Sequence, residues 1–187
     1  YNEALMEFGA LVCRPKNPDC PACPLAGVCR ARGLGIVADR PVLSQSKDIT
    51  LLTVATGVLV HGGRIFIQQR LPKGAWANLW EFPGGRIEAG ETPEQAVVRE
   101  YAEETGFAVR VAAKLAVIRH GYTTYRVTLH CSVLHLCGDV AAGVLPEPTL
   151  TAAQESLWAA PHELARYAFP AGHRKLIEQF DASLWRL

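Results

Sequence analysis

The chain has almost no net charge: 19 Lys and Arg against 18 Asp and Glu leave +1 over 187 residues. A balance that even gives no global field to draw nucleic acid or a membrane surface, although a local basic groove is still allowed. No apolar run approaches the roughly 18 residues a membrane span needs. The longest candidate, Ile49 to Val60, is interrupted by Thr50, Thr53 and Thr56. The N-terminus lacks the basic-then-apolar order of a signal peptide and carries Glu3 and Glu7 instead. Internal repeats and low-complexity tracts are also missing. Apolar residues make up 49% and charged residues 20%, which argues against disorder and fits one globular core with a small appendage. These absences suggest a cytoplasmic protein with no membrane partner, of undetermined oligomeric state. The chain begins with Tyr1 rather than Met, so it is read as a piece of a longer polypeptide or as a processed form.

Cysteine is unevenly spread. Four of the six, Cys13, Cys20, Cys23 and Cys29, are spaced C-x6-C-x2-C-x5-C. A tight cluster in a cytosolic-looking chain indicates metal ligation rather than disulfides. Four thiolates this close suit tetrahedral zinc or a [4Fe–4S] cluster, and spacing alone does not choose between them. Cys131 and Cys137 lie in an apolar stretch and are expected to be buried strand residues.

Periodicity gives a coarse map. Ala4, Leu5, Phe8, Leu11 and Val12 have helical spacing over residues 3–12. Residues 1–30 form a cysteine segment, 31–48 a linker without sustained period, and 49–187 a second domain. That domain opens with a hairpin, Thr50–Val60 and Arg64–Arg70, around His61-Gly62-Gly63. A short strand at Trp80–Phe82 runs into Pro83-Gly84-Gly85. Thr92 and Gln95 make a capping box for a helix from Pro93 to Gly106. Strands follow at Val109–Arg119 and Thr123–Leu136, another closes near Trp158, and two short helices fit His162–Tyr167 and Gly172–Phe180. The irregular alternation predicts an α/β (α+β) domain with a mixed sheet.

The most informative span runs from Gly85 through Glu91, Arg99-Glu100 and Glu103-Glu104 to Gly106-Phe107. At about 100° per residue, Glu100, Glu103 and Glu104 share one helix face, with Val98, Tyr101 and Ala102 expected on the face that packs on the sheet. Crowded carboxylates repel unless a cation sits among them, and all-oxygen ligation suits Mg²⁺ or Mn²⁺ rather than zinc. Arg99 can pair with the carboxylates and hold the cluster in shape. Gly84 and Gly85 allow backbone to come close to a metal or phosphate.

This pattern resembles the Nudix hydrolases. The resemblance implies a Nudix fold, a mixed sheet between helices, and attack of water on a phosphorus of a nucleoside triphosphate-like substrate, oxidised purine nucleotides included. Glu100, Glu103 and Glu104 would ligate the metal with Gly84, and Arg99 would join them as a catalytic residue; Glu155 is a weaker candidate for a water-activating carboxylate. Leu79 to Gly85 followed by Gly90 to Ala96 is similar to the MutT type, which places Arg70 and Glu81 in substrate binding. Gly172-His173 stands where a MutT-type enzyme has its base-reading asparagine, which makes His173 a substrate-binding candidate. The cysteine spacing, with Asn2 to Ala10 before it and Cys23-Pro24-Leu25 within, resembles the iron–sulfur segment of MutY-type adenine DNA glycosylases. That likeness favours [4Fe–4S] on Cys13, Cys20, Cys23 and Cys29. It extends to Arg119–Tyr125, where Tyr122 could stack on a base, and to Ala168–Lys175. It implies damaged DNA as a partner of the full-length glycosylase, whose catalytic residues would precede Tyr1. Two readings follow: a metal-dependent nucleotide hydrolase fused to a repair glycosylase, or a non-hydrolytic domain that recognises 8-oxoguanine.

Overall fold

The computed structural model describes residues 1–42, 48–122, 124–141 and 143–179, with Tyr122 described by its backbone only. The chain divides into two units, Tyr1–Lys47 and Asp48–Leu187. In the first, helix α1 spans Asn2–Leu11 and a one-turn helix α2 spans Arg30–Gly33, with a 3-10 turn at Val37–Asp39. The segment read as a plain linker therefore contains two short helical turns. Each is too brief to show a period in sequence. No helix among the described residues is long and apolar enough to cross a membrane.

Among the described residues the second unit has seven strands: β1 (Thr50–His61), β2 (Arg64–Arg70), β3 (Trp80–Glu81), β4 (Gly84–Arg86), β5 (Val109–Tyr122), β6 (Tyr125–Leu136) and β7 (Ala153–Ala159). Strand order runs β3-β2-β1-β6-β5, with β4 paired to β1 and β7 to β2. β1 and β6 run parallel over ten residue pairs, Thr50 with Tyr125 through Leu59 with Leu134, while the other pairings are antiparallel. This is a mixed sheet, as expected. Helix α3 (Pro93–Thr105) covers one face, where Ala96, Val97 and Tyr101 meet Ala55, Leu59, Phe66 and Leu134. The 3-10 helix Pro161–Arg166 and helix α4 (Ala171–Glu178) cover the other, packing Leu164 and Leu176 on Val58, Ile65, Ile67 and Val133.

Local chemistry explains α3. Thr92 accepts from the Gln95 N–H at 3.2 Å while the Gln95 side chain accepts from the Thr92 N–H at 2.9 Å. Pro93 begins the helix and Gly106, at φ 73°, ends it in the left-handed conformation. The Tyr101 hydroxyl, fully buried, donates to the Gly57 carbonyl at 2.6 Å and pins the helix to β1.

The structure corrects two burial expectations and one helix assignment. The buried stripe of α3 is Ala96, Val97, Tyr101 and Thr105, with Val98 half-buried and Ala102 exposed. Cys131 is buried in β6 as expected, but Cys137 follows the strand and is exposed. Of the two C-terminal helices, the first is a 3-10 helix, and Phe180 lies outside the described residues.

Candidate active site

A cleft of about 630 Å³ opens between the carboxylate end of α3, the β4 turn and the start of α4. Its lining includes Glu100, Glu104, Gly84 and Gly85 together with Leu52, Val127, Leu129, Tyr125, Phe169 and His173. The lining therefore combines carboxylates with apolar and aromatic side chains, the mixture expected of a site for a ligand with a charged tail and a planar head.

Geometry around the carboxylates follows from β4. Gly84 pairs with Thr56 and Gly85 with Ala55, which holds the turn flat against β1. The Glu100 carboxylate fills the space that a Cβ on Gly85 would occupy. Glu104 accepts from the Gly84 N–H at 3.2 Å and from Gln68 Nε2 at 2.9 Å. Gln68 is fully buried in β2 and its Nε2 also donates to Glu81 at 3.3 Å. Burial, with the neighbouring Glu81 charge, pushes the Glu104 carboxyl up to about 7 against the pull of those two donors. Burial also raises Glu81, which Arg70 holds partly down through a 2.7 Å ion pair.

Arg99 organises the exposed side. Its Nε and Nη2 grip the two oxygens of Glu91 at 2.9 and 3.1 Å, and Nη1 reaches Glu100 at 2.9 Å and Glu103 at 3.1 Å. Nη2 also donates to the Arg86 carbonyl at 3.1 Å. A planar guanidinium suits this branching and an ammonium does not. Arg99→Lys is expected to lower nucleotide turnover about 10- to 100-fold, the range for groups that orient ligating side chains. Steady-state kinetics beside a thermal melt would check it.

Among the described residues, no three His, Cys, Asp or Glu side chains are gathered into a ready metal cluster. Glu100 and Glu103 lean on Arg99 while Glu104 turns to Gly84 and Gln68, an arrangement that separates like charges. The donor set nevertheless fits a hard cation. Two half-buried carboxylates, Glu100 and Glu104, flank a turn whose missing Cβ leaves room for one of them, and Glu103 stands beside them on the solvent side with a 59% exposed side chain. The same holds for the cysteines: Cys13 is exposed, Cys20, Cys23 and Cys29 are half-buried, all are free thiols, and they do not form such a group either.

The remaining candidates divide. Arg70, Glu81 and His173 all line the cleft. Arg70 is tied back by Nε to the Ala75 carbonyl at 3.0 Å as well as to Glu81. The side chain of Tyr122 lies outside the described residues; its backbone pairs with Tyr125. Glu155 pairs with Gln69, the neighbour of Gln68. It therefore faces away from the side of β2 on which Gln68 meets Glu104. Gln68 itself was not anticipated. The alternation of Arg64, Phe66, Gln68 and Arg70 could have shown it, because that row places a polar amide in line with the buried Phe66.

This fold with this carboxylate helix has known counterparts. The chain belongs to the NUDIX domain family, whose model matches residues 55–179, and is a Nudix hydrolase. It is 33% identical to the 8-oxo-dGTP diphosphatase of Haemophilus influenzae over 133 residues, 71% of this chain and 93% of that protein. It is 29% identical to the CTP pyrophosphohydrolase of Escherichia coli over the same shares of each chain. Among solved structures, the E. coli ORF135 protein aligns with a TM-score of 0.58 at 26% identity, covering 71% of this chain and 89% of that one. A MutT NUDIX hydrolase from Burkholderia pseudomallei has the same fold, with a TM-score of 0.60 at 24% identity over 71% of this chain and 99% of that one.

Proposed function

We propose that residues 49–187 hydrolyse nucleoside triphosphates to monophosphate and pyrophosphate with Mg²⁺ or Mn²⁺, oxidised purine nucleotides included. The observation that carries this reading is the Gly85 cradle. It seats Glu100 in a cleft that Glu104 also lines, together with apolar and aromatic side chains. Two relatives named for 8-oxo-dGTP and CTP hydrolysis support the substrate class.

Glu100, Glu103 and Glu104, with Gly84, would hold the cation, which when bound neutralises phosphate charge and lowers the pKa of water. Arg99 keeps Glu91, Glu100 and Glu103 in register. One of the three glutamates takes the proton of the attacking water as the P–O–P bond breaks and pyrophosphate leaves. Arg70, held by Glu81, presents positive charge to the triphosphate. The apolar side chains of the lining exclude water from around the base. A panel of dGTP, 8-oxo-dGTP and CTP, with pyrophosphate release measured against Mg²⁺, tests this. Turnover of at least one substrate is expected, and no metal-dependent turnover of any would reject it.

We also propose that residues 1–30 end a MutY-type adenine DNA glycosylase, in which Cys13, Cys20, Cys23 and Cys29 bind [4Fe–4S], that 31–48 link them to 49–187, and that damaged DNA is the partner of the whole protein. The cysteine spacing and its flanking residues support this. Protein purified without oxygen should be brown and hold close to four irons per chain. A colourless, zinc-loaded protein would refute it. If the panel shows no hydrolysis while 8-oxoguanine-containing duplex still binds, the recognition-domain reading replaces the enzymatic one.

A further inference from the structure

β2 buries four consecutive residues completely, and three of them, Ile65, Phe66 and Ile67, are apolar. The fourth is Gln68. Its carbonyl oxygen Oε1 is sealed from solvent and accepts no hydrogen bond among the described residues. A buried acceptor without a donor costs stability, and a methionine or leucine here would carry no such cost. Packing alone therefore does not account for an amide at this position.

What the amide does is donate. β2 pairs with β3 so that Gln68 stands opposite Glu81, and Nε2 reaches Glu81 Oε1 at 3.3 Å and Glu104 Oε2 of α3 at 2.9 Å. Turning the amide over would set its carbonyl oxygen against two carboxylates, so the flanking acids fix which end faces them. Glu81 is itself held by Arg70 at 2.7 Å. At Glu104 the second donor is the Gly84 N–H at 3.2 Å, and it lands on the same oxygen. Both protein donors thus meet at Oε2, and Oε1 takes no hydrogen bond from a described residue. One donor would leave the carboxylate free to swing about a single bond; donors from β2 and from β4 hold it in one orientation.

We propose that Gln68 is a positioning residue for the hydrolytic reaction: it holds Glu104 by one oxygen and leaves the other for the cation. The inference rests on the reading of Glu104 as a cation-holding group. Gln68 is fully buried and is not part of the cleft lining, so it acts through Glu104 rather than on substrate. Loss of a group that orients a ligating side chain weakens metal affinity about 10- to 100-fold.

Gln68→Met keeps the length of the side chain and removes both N–H groups. Mn²⁺ binding to the full chain without nucleotide, followed by electron paramagnetic resonance, is expected to weaken about tenfold. In hydrolysis assays the half-saturating Mg²⁺ concentration should rise by about the same factor, with kcat recovered to within about threefold once the metal saturates. The urea midpoint of the metal-free protein should stay level, because the orphaned carbonyl leaves together with the two hydrogen bonds. A role in packing alone gives the opposite pattern, a lower midpoint with Mn²⁺ affinity unchanged. In a Glu104→Gln background, Gln68→Met should cost no further Mn²⁺ affinity, whereas independent contributions would add. The parent protein gives a reading that needs no variant: the Gln68 side-chain N–H resonances should shift when Mg²⁺ is added. Unchanged Mn²⁺ affinity in Gln68→Met, an equal further loss in the Glu104→Gln background, or N–H resonances indifferent to Mg²⁺ each overturn the proposal. If the parent protein binds no Mn²⁺, the cation reading of Glu104 fails, and this inference with it. If parent and Gln68→Met bind equally well, the Gln68 assignment fails alone.

Discussion

Glu104→Gln is expected to reduce Mg²⁺-dependent nucleotide hydrolysis by about 10³-fold, roughly 4 kcal/mol of transition-state stabilisation. Glutamine is isosteric and keeps an oxygen to accept from the Gly84 N–H, so the turn is retained. The loss is that of one negative charge in the lining of the cleft. Stability should stay level or rise, because Glu104 is half-buried beside Glu81 and pays for its charge with burial and like-charge repulsion. Kinetics and thermal melts on the same preparations separate the two effects. A variant that keeps full turnover, or one that loses activity only because it unfolds, would remove Glu104 from the reaction.

Gly85→Ala should lower kcat/KM by about 10²-fold with less than about 1 kcal/mol lost from folding. The added methyl would run into the Glu100 carboxylate, the far end of a flexible side chain that can swing out at little cost. What is lost is the place of Glu100 at the cleft. Gly84→Ala is the contrasting variant. There the methyl meets the Ala55 carbonyl and Thr56 Cα, both backbone, and the residue sits at φ 155°. That substitution should break the β1–β4 pairing and cost about 2 kcal/mol or more as well as activity. Urea unfolding curves distinguish the pair: only Gly84→Ala shifts the midpoint substantially. Equal destabilisation by both would show that the Gly85 space serves folding rather than the site.

Where the sequence was readable, a local signal and the tertiary structure agreed. Thr92, Pro93, Gln95 and Gly106 bound α3 by chemistry confined to the helix ends, and the structure keeps each of those features. The Thr50–Arg70 hairpin is similarly local. The glutamate set on α3 was recognisable because 3.6-residue periodicity puts Glu100 and Glu104 on adjacent turns. Other features depend on partners distant in sequence. β4 is three residues long with two glycines and has no period; it exists because Ala55 and Thr56 of β1 pair with it. Ala102 reads as a packing residue from the helix wheel, but the sheet lies under Val97 and Tyr101, so the stripe is rotated away from it. Gln68 couples Glu81 to Glu104 only because β2, β3 and α3 converge, a contact spanning 36 residues. His173 was a candidate from its place in the chain, but the Phe82 backbone N–H that donates to its Nδ1 lies 91 residues away.

The central claim is that the Gly85 turn and the glutamates of α3 form a metal-dependent hydrolytic site. The most direct measurement is product analysis of a nucleoside triphosphate incubated with the full chain, with and without Mg²⁺, using anion-exchange separation. Monophosphate and pyrophosphate are expected in equal amounts with Mg²⁺, and neither after chelation or in Glu104→Gln. Products that form equally well in chelator, or at the same rate from the Glu104→Gln protein, would contradict it.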